Sequence, residues 1–385
     1  MFVLLLIIAG FLFATKYARL PVLLCFWFFC LCLIMLSAEQ GIEAAFQISG
    51  RPSDTDLYYD AFQANFDSVS NYLFFHYPLL LKYLVFPFNN AYWALIGQCA
   101  AISLFCLLVL RDSPNIFYIL VLLNHTVLYT ATNFFKDNYM LLLMLISLAV
   151  LIRTQQRWLK SMSILICILL MTYVRPFCLL FIPLAAVPYM FANRNKSVRA
   201  LFWLLCVGTL GAVLVTQWDK ITYVASSWAD DASVGSEGLS ITSLPKVILG
   251  PTPFHYLNFG EHFVQPLLNS HAILLTFLHF LFYAALSYFV VVFVGNFSQF
   301  KKAFFNCIPA LFSMGVSLGV LVVYMVAYGS ADIRQRAVIL SLFFIAVALP
   351  RVEHKMTWQS EVAQHQLFWV VGIFSLLFLM STFAQ

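Results

Sequence analysis

The chain has 385 residues, of which 63% are hydrophobic and 10% are charged, and its mean hydropathy is +0.90. A soluble domain cannot bury that fraction of apolar side chains, so the composition excludes one and predicts a polytopic membrane protein. The formal charge of +5 comes from basic residues scattered in short clusters between apolar runs, as membrane-flanking anchors are, and no nucleic-acid partner is predicted.

Apolar runs long enough to cross a bilayer recur along the whole chain. They predict an all-α fold of about twelve transmembrane helices in one helical domain, 1–385, with no soluble domain boundary. The runs lie at 2–15, 20–37, 91–110, 115–133, 138–152, 161–174, 177–192, 200–217, 271–296, 304–328, 337–350 and 366–383.

The charges between these runs predict the orientation of the chain. If the runs alternate across the bilayer, thirteen of the 21 basic residues fall on one side, which is then cytoplasmic. Of the sixteen carboxylates, only Asp112, Glu353 and Glu361 fall on that side. Both termini are then predicted to be extracytoplasmic.

One apolar segment, 72–88, is not counted as a crossing. It is interrupted by His76, Pro78, Lys82 and Pro87. Counting it would invert every later loop and destroy the charge asymmetry, so we interpret it as an interfacial or re-entrant helix on the outer face.

Two long polar loops, 39–71 and 218–270, are predicted on the outer face and are expected to carry the functional site. The first contains the acidic stretch GRPSDTDLYYDAF at 50–62, and the second is rich in Gly, Pro and aromatic residues. Other unusual polar residues gather on the same predicted side. The candidates are Asp54, Asp56 and Asp137 as catalytic residues, and Lys136, Arg175, Glu261, His262, Arg334 and Arg336 as residues that bind the substrate or its phosphate.

The short runs at 138–152 and 161–174 place Lys136, Asp137 and Arg175 near or below the outer headgroup level. A charge at membrane depth costs about 2.5–3.5 kcal/mol on insertion scales, so such residues usually line a cavity or pair with each other.

Each group also has a purely structural interpretation. The Asp54-Thr-Asp56 sequence fits a turn or helix cap, the Lys136 and Asp137 pair fits a capped, snorkelling helix start, and Arg175 fits an anchor at a helix end. Arg334 and Arg336 are harder to explain in this way, because basic residues at an outer helix end oppose the positive-inside tendency.

The joint arrangement predicts more than any single member. Carboxylates supply a general base or a metal ligand, whereas arginine and lysine bind phosphate or diphosphate. A base facing a phosphate clamp is what glycosyl transfer from a lipid-phosphate sugar requires: the base takes the acceptor hydroxyl proton and the cations stabilise the departing phosphate. We favour Asp56 as the base, because it precedes Leu57-Tyr58-Tyr59, which can pack at the interface and fix its direction.

The order of these motifs resembles that of bacterial membrane glycosyltransferases of the GT-C superfamily and related surface-polysaccharide enzymes. The motifs are SDTDLYYDAF, FFKDNYMLLLMLISLAVLIR, VRPFCLLFIPL, GPTPFHYLNFGEHF and IRQRAVILSLFFIAVALP. The resemblance implies that a first-loop acid, Asp54 or Asp56, is the base or metal site and that Arg334 and Arg336 meet the carrier phosphate. Unlike many of those enzymes, the chain has no clear large C-terminal soluble domain.

The resemblance implies glycosyl transfer at the outer, periplasmic face of a bacterial inner membrane, from a polyprenyl-phosphate- or diphosphate-linked sugar to a glycan or lipid-linked acceptor. A polymerase of O-antigen repeat units and a transporter or lipid-linked-sugar flippase are the alternatives. Mid-span carboxylates, typical of ion-coupled carriers, are missing from the predicted spans, which counts against the transporter. No dedicated metal site is predicted, and a divalent cation, Mg²⁺ or Mn²⁺, is left open as a cofactor.

Overall fold

The structure is a computed structural model that describes residues 2–17, 19–40, 62, 81–82, 90–190, 204, 208, 270–328, 333–354 and 369–377. The described part of the chain is helical throughout and contains no strand. Four of the predicted features lie outside the described residues, apart from a few single positions. They are the span 200–217, the segment 72–88 and the loops 39–71 and 218–270.

The elements follow one another in this order: α1 (Phe2–Lys16), α2 (Leu20–Gln40), α3 (Ala91–Val109), α4 (Asn115–Leu122), α5 (His125–Ala131), α6 (Lys136–Arg153), α7 (Arg157–Val174), a 3₁₀ helix (Pro176–Ala186), α8 (Val187–Met190), α9 (Ser270–Phe304), α10 (Ile308–Tyr328) and α11 (Ile333–His354).

Several of these helices are long and apolar enough to cross a membrane. Three helices are long and apolar enough by themselves: Ala91–Val109, Arg157–Val174 and Ile273–Phe304. The bent pair of α5 and α6 adds a fourth if the two helices together form one span. Shorter apolar helices occupy Val3–Lys16, Leu20–Leu36, Pro176–Ala186 and Ile308–Tyr324. The described residues therefore form an all-helical protein with three or four membrane-capable helices, and the number twelve stays a prediction.

The run 115–133 was predicted as one helix, but the structure breaks it into α4 and α5 at Asn124. The Asn124 side-chain oxygen accepts hydrogen bonds from the Thr126 amide at 3.0 Å and the Thr126 hydroxyl at 2.9 Å. Asparagine is a favoured helix N-cap, because its oxygen replaces a partner that the first amides of a helix lack. The sequence Asn-His-Thr thus starts a new helix inside an apolar run.

The run 177–192 also differs from a regular α-helix. It begins as a 3₁₀ helix with Pro176 in its first turn and Pro183 inside it. Proline lacks the amide hydrogen and its ring crowds the carbonyl four residues earlier, so an α-helix is disfavoured there. The tighter helix continues to Ala186 before α8 resumes α-helical geometry.

Helix α6 is central to the packing that positions the site. It packs against α3, α7, α10 and α11, and α11 also packs against α4, α5 and α9. Two serines tie α10 to α11: the Ser313 hydroxyl donates to the Leu342 carbonyl and the Ser317 hydroxyl to the Ile339 carbonyl, both at 2.8 Å. Such bonds between apolar helices fix the register of α11 against its neighbour.

Helix α10 also packs closely against the 3₁₀ helix through small residues. A Cβ atom added to Gly319 would lie 2.2 Å from Cε1 of Phe181, and one added to Gly315 would lie 3.1 Å from Leu184. The Gly-x-x-x-Gly spacing puts both glycines on one helix face, where they let large side chains of the partner approach the backbone. This contact sets the position of the 3₁₀ helix, whose first turn follows Arg175.

Candidate functional site

The site is organised around the turn at residues 132–135, where α5 and α6 meet at a bend of 109°. The Gln98 side-chain amide donates to the carbonyls of Ala131 at 2.7 Å and Asn133 at 2.9 Å. The Asn138 amide donates to the carbonyls of Thr130 at 2.6 Å and Asn133 at 2.9 Å. The end of α5 has thus exchanged helical hydrogen bonds for side-chain ones, as a buried helix end requires.

Helix α6 starts directly after this turn, with Lys136 and Asp137 in its first turn. Its N-cap residue, Phe135, makes no side-chain capping bond. The first amides of a helix carry a partial positive charge and suit an anion, and Asp137 is one such anion. The start of α6 is therefore a place where negative charge is stabilised.

Asp137 forms an ion pair with Arg175, which lies 38 residues later, between α7 and the 3₁₀ helix. The Arg175 Nη2 atom lies 2.7 Å from Oδ1 and 3.0 Å from Oδ2 of Asp137. The side chain of Asp137 is 2% exposed and that of Arg175 is 12% exposed. The pair joins the start of α6 to the end of α7, which agrees with the expectation that charges predicted at membrane depth pair with each other.

The guanidinium of Arg175 has a second neighbour in α10. Its central carbon lies 5.7 Å from the ring centre of Tyr324, in cation–π range. The Phe177 ring packs edge-on against the same tyrosine at 5.8 Å. Arg175 is therefore held between α6 and α10, with one side toward a carboxylate and one toward an aromatic ring.

Arg334 and Arg336 approach the same turn from the start of α11. The guanidinium of Arg334 lies 5.5 Å from the ring centre of Phe135, one residue before Lys136. Arg336 is 8% exposed and lies near His125, the first residue of α5. The predicted phosphate-binding arginines are thus beside α5 and the start of α6.

Two buried histidines form a stack that sequence reasoning missed. The rings of His125 in α5 and His279 in α9 lie 3.8 Å apart and 20° from parallel, and both are almost fully buried. Phe282 packs edge-on against His125. The signal in the sequence was a histidine inside an apolar run, which does not by itself name a partner 154 residues away.

Of the nine predicted site residues, five lie in the part of the chain that the structure describes. Four of them, Lys136, Asp137, Arg175 and Arg334, lie at or beside the turn between α5 and α6, and Arg336 lies near His125 at the start of α5. The remaining predicted residues, Asp54, Asp56, Glu261 and His262, lie outside the described residues.

A metal centre is not among the arrangements seen in the described residues. They contain no group of three His, Cys, Asp or Glu side chains placed to hold a metal ion. The acidic loop, where a divalent cation was left open, lies outside the described part of the chain.

Two interpretations fit this geometry. In the structural interpretation, the ion pair of Asp137 and Arg175 only holds α6 against the 3₁₀ helix. The arginines of α11 then only fix the end of that helix. As a binding site, Lys136, Arg334 and Arg336 would meet a phosphate at the start of α6 while Asp137 holds Arg175 in place. Besides Arg175, two further cations, Lys136 and Arg334, lie at the start of α6, and an ion pair that only joins helices does not require them.

The chain matches no protein-family model, no curated protein and no solved structure. The class that the fold defines is an all-helical protein with membrane-capable helices, and the function has to be argued from the site.

Proposed function

We propose that the protein transfers a sugar from a polyprenyl-phosphate- or diphosphate-linked donor to a glycan or lipid-linked acceptor at the outer face of a bacterial inner membrane. The observation that carries this proposal is the gathering of Lys136, Arg175 and Arg334 around the first turn of α6. Cations at a helix start, at membrane depth, suit the phosphate of a lipid carrier.

The reaction needs two kinds of group at this site. The cations stabilise the negative charge that grows on the phosphate as its bond to the sugar breaks. A carboxylate of the first outer loop, Asp56 with Asp54 beside it, takes the proton from the acceptor hydroxyl as that oxygen bonds to the sugar. In this assignment Asp137, which pairs with Arg175, orients the cations instead of acting as the base.

A lipid-linked-sugar flippase is the second candidate, and one observation favours it. Helices broken within the membrane and exposing a helix start to an anionic substrate are typical of transporters. The bend of 109° between α5 and α6 is a break of this kind. A flippase would use the same cations to bind the phosphate but would need no base.

The experiment that separates these functions uses the full chain reconstituted in liposomes with polyprenyl-phosphate and polyprenyl-diphosphate sugars. A transferase forms a new glycosidic bond, detected by mass spectrometry of the lipid-linked product. A flippase moves the donor across the bilayer and leaves it chemically unchanged. Translocation without any product would overturn the proposed transfer.

The Arg334→Gln/Arg336→Gln double variant tests the site itself. Removing one charge-assisted hydrogen bond to the phosphate should cost about 1.5–3 kcal/mol, so the double variant should show at least a tenfold decrease in turnover or in apparent affinity for the donor. The matched control is Lys301→Gln/Lys302→Gln, which removes two exposed cations at the C-terminal end of α9 and should keep wild-type activity. Wild-type turnover in the arginine variant would refute the phosphate assignment.

A further inference from the structure

Two helix connections meet at one end of the described helices. They are the turn between α1 and α2 and the turn between α3 and α4. The guanidinium of Arg19, directly before α2, donates to the side-chain oxygen of Asn115 and to the carbonyl of Ser113, the latter at 2.7 Å. Its central carbon lies 5.1 Å from the ring centre of Tyr118. Arg19 therefore ties the start of α2 to the turn between α3 and α4.

This junction brings two cations to one aromatic ring. The Nζ atom of Lys16, the last residue of α1, and the guanidinium carbon of Arg111 each lie 5.6 Å from the ring centre of Tyr17. Lys16 is exposed, and the side chain of Arg111 is 44% exposed. Both positive charges are therefore held beside the same ring, within cation–π range and accessible to a ligand.

The charges of this cluster do not balance among the residues that the structure describes. Arg111 pairs with Asp112 at 3.1 Å, whereas Lys16 and Arg19 form no ion pair with a carboxylate in the described ranges. Three cations and one carboxylate leave a net positive charge at the junction. Because like charges repel, an anion between Lys16 and Arg111 is favoured there.

An exposed apolar strip on α1 leads to this cluster. Leu5, Ile8 and Leu12 precede Lys16 at spacings of three or four residues, which puts them on one face of the helix with it. Their exposed fractions are 54%, 46% and 67%. An acyl chain can lie along this strip while its phosphate meets the cations at the end. A free phosphate ion would gain nothing from the apolar strip.

We propose that Lys16 and Arg111 bind the headgroup of an anionic membrane phospholipid whose acyl chain lies along α1. Lysine contributes a point charge, and arginine can form two parallel hydrogen bonds with a phosphate. Tyr17 and Arg19 are positioning residues, which keep the two cations beside each other. This site is separate from the start of α6 and does not rest on the proposed sugar transfer.

The test measures the binding of phosphatidylglycerol and phosphatidylcholine to the detergent-purified full chain by native mass spectrometry. A cation near an anionic lipid surface contributes about fivefold to binding, so Lys16→Gln/Arg111→Gln should weaken the tightest phosphatidylglycerol site by roughly ten- to thirtyfold. Binding of phosphatidylcholine, which has no net charge, should change by less than about twofold.

Lys301→Gln/Lys302→Gln is the matched control. It removes the same number of exposed cations from the end of α9. The tightest phosphatidylglycerol site should then stay within about twofold of wild type, because those lysines lie outside the cluster.

Two further measurements probe the charge balance and the strip. Asp112→Asn removes the carboxylate that competes for Arg111, so it should tighten the binding of phosphatidylglycerol. Leu12→Gln interrupts the apolar strip and should weaken it. Glycerol phosphate, which shares the phosphate but has no acyl chain, should bind at least about tenfold more weakly than the lipid, because it buries no apolar surface.

Three results would overturn the inference. They are wild-type phosphatidylglycerol binding in the folded Lys16→Gln/Arg111→Gln protein, an equal loss in the Lys301→Gln/Lys302→Gln control, and equal affinities for the lipid and for glycerol phosphate. The melting temperature in detergent checks that each variant is folded. If the double variant is not, Tyr17→Leu removes the ring that both cations face, and wild-type phosphatidylglycerol binding in that variant would equally refute the site.

Discussion

Arg175 donates from one nitrogen, Nη2, to both carboxylate oxygens of Asp137, at 2.7 and 3.0 Å. The sequence assigned Asp137 to the candidate bases and Arg175 to the phosphate contacts, whereas the structure joins them to each other. A carboxylate held in this way is placed to orient a cation at the start of α6. The ion pair therefore fixes the position of Arg175 at the bend between α5 and α6, where phosphate binding is proposed.

The ion pair should be strongly coupled in stability. Asp137→Asn or Arg175→Gln leaves a charge in a buried site, which typically costs about 3–5 kcal/mol, with the lower end more appropriate for the partly exposed Arg175. The Asp137→Asn/Arg175→Gln double variant removes both charges and should recover part of the decrease in melting temperature in detergent.

The pair of Arg111 and Asp112 provides the control for this prediction. Their contact is 3.1 Å long, but the side chains are 44% and 49% exposed. An exposed pair contributes about 0–1 kcal/mol, so Arg111→Gln should hardly change the melting temperature. A melting temperature of the Asp137 and Arg175 double variant that falls by the sum of the two single decreases would contradict the coupling.

Asp56→Asn should abolish transfer while preserving the fold and lipid binding. Asparagine keeps the shape and much of the hydrogen bonding of aspartate but cannot accept the proton, and a positioned base contributes about 10²–10⁴-fold in rate. Asp54→Asn should be milder if Asp54 orients the site or binds a divalent cation. Product formation by the purified variants in liposomes is the measurement.

A different pattern among these variants would reassign the base. Activity within a few-fold in Asp56→Asn, together with its loss in Asp54→Asn or Asp137→Asn, would mean that the base had been misplaced. Tolerance of all three substitutions would favour the flippase.

Gly319→Ala should destabilise the protein, although alanine is normally the better helix former. Its added Cβ would lie 2.2 Å from Cε1 of Phe181, and overpacking of a core costs about 1–3 kcal/mol. At Gly295 a Cβ meets nothing within 4 Å, so Gly295→Ala should instead gain about 0.5–1 kcal/mol.

The two glycine variants can be compared directly by thermal unfolding in one detergent. Phe181→Leu added to Gly319→Ala should restore part of the stability, because a smaller side chain makes room for the methyl group. Equal melting temperatures for Gly319→Ala and Gly295→Ala would show that the close contact does not exist.

The predicted orientation can be tested by labelling single introduced cysteines with a membrane-impermeant thiol reagent. Gln155 lies exposed between α6 and α7, in a loop predicted to be cytoplasmic by its basic neighbours. Ser236 lies in the loop 218–270, which the charge pattern predicts to be outer. Gln155→Cys should be labelled only after the membrane is opened and Ser236→Cys in intact cells, and the reverse pattern would place the site on the wrong side.

Hydropathy alone predicted most of the described helices, because the bilayer requires long apolar stretches whatever their tertiary partners. The predicted runs 2–15 and 91–110 agree with α1 and α3 within a residue of each end. The run 115–133 is broken into two helices at Asn124. Hydropathy averaged over a window did not predict this break, because it is insensitive to a single capping residue. At 177–192 the same average does not register the steric effect of Pro183.

The sequence predicts candidate members of the site, whereas their pairings come from the structure alone. Alternating spans put Lys136, Asp137 and Arg175 at one level, since each precedes or follows a short run. The contacts among these three residues depend on side-chain rotamers and on the bend at 132–135. Neither of these leaves a periodic pattern in the sequence from which it could be predicted. For the same reason, the stack of His125 on His279 could not be foreseen.

The unequal helices have a consequence for the surrounding lipid. At 1.5 Å per residue, the 18 residues of α6 and of α7 span about 27 Å, whereas the 35 residues of α9 span about 52 Å. If α6, α7 and α9 all cross a hydrocarbon layer of about 30 Å, we expect α9 to tilt or protrude and the bilayer to thin beside α6 and α7. Thinning would bring the phosphate of the proposed lipid carrier down toward Lys136. We therefore expect hydrophobic mismatch to tune the protein, with activity declining as the acyl chains of the host membrane are lengthened.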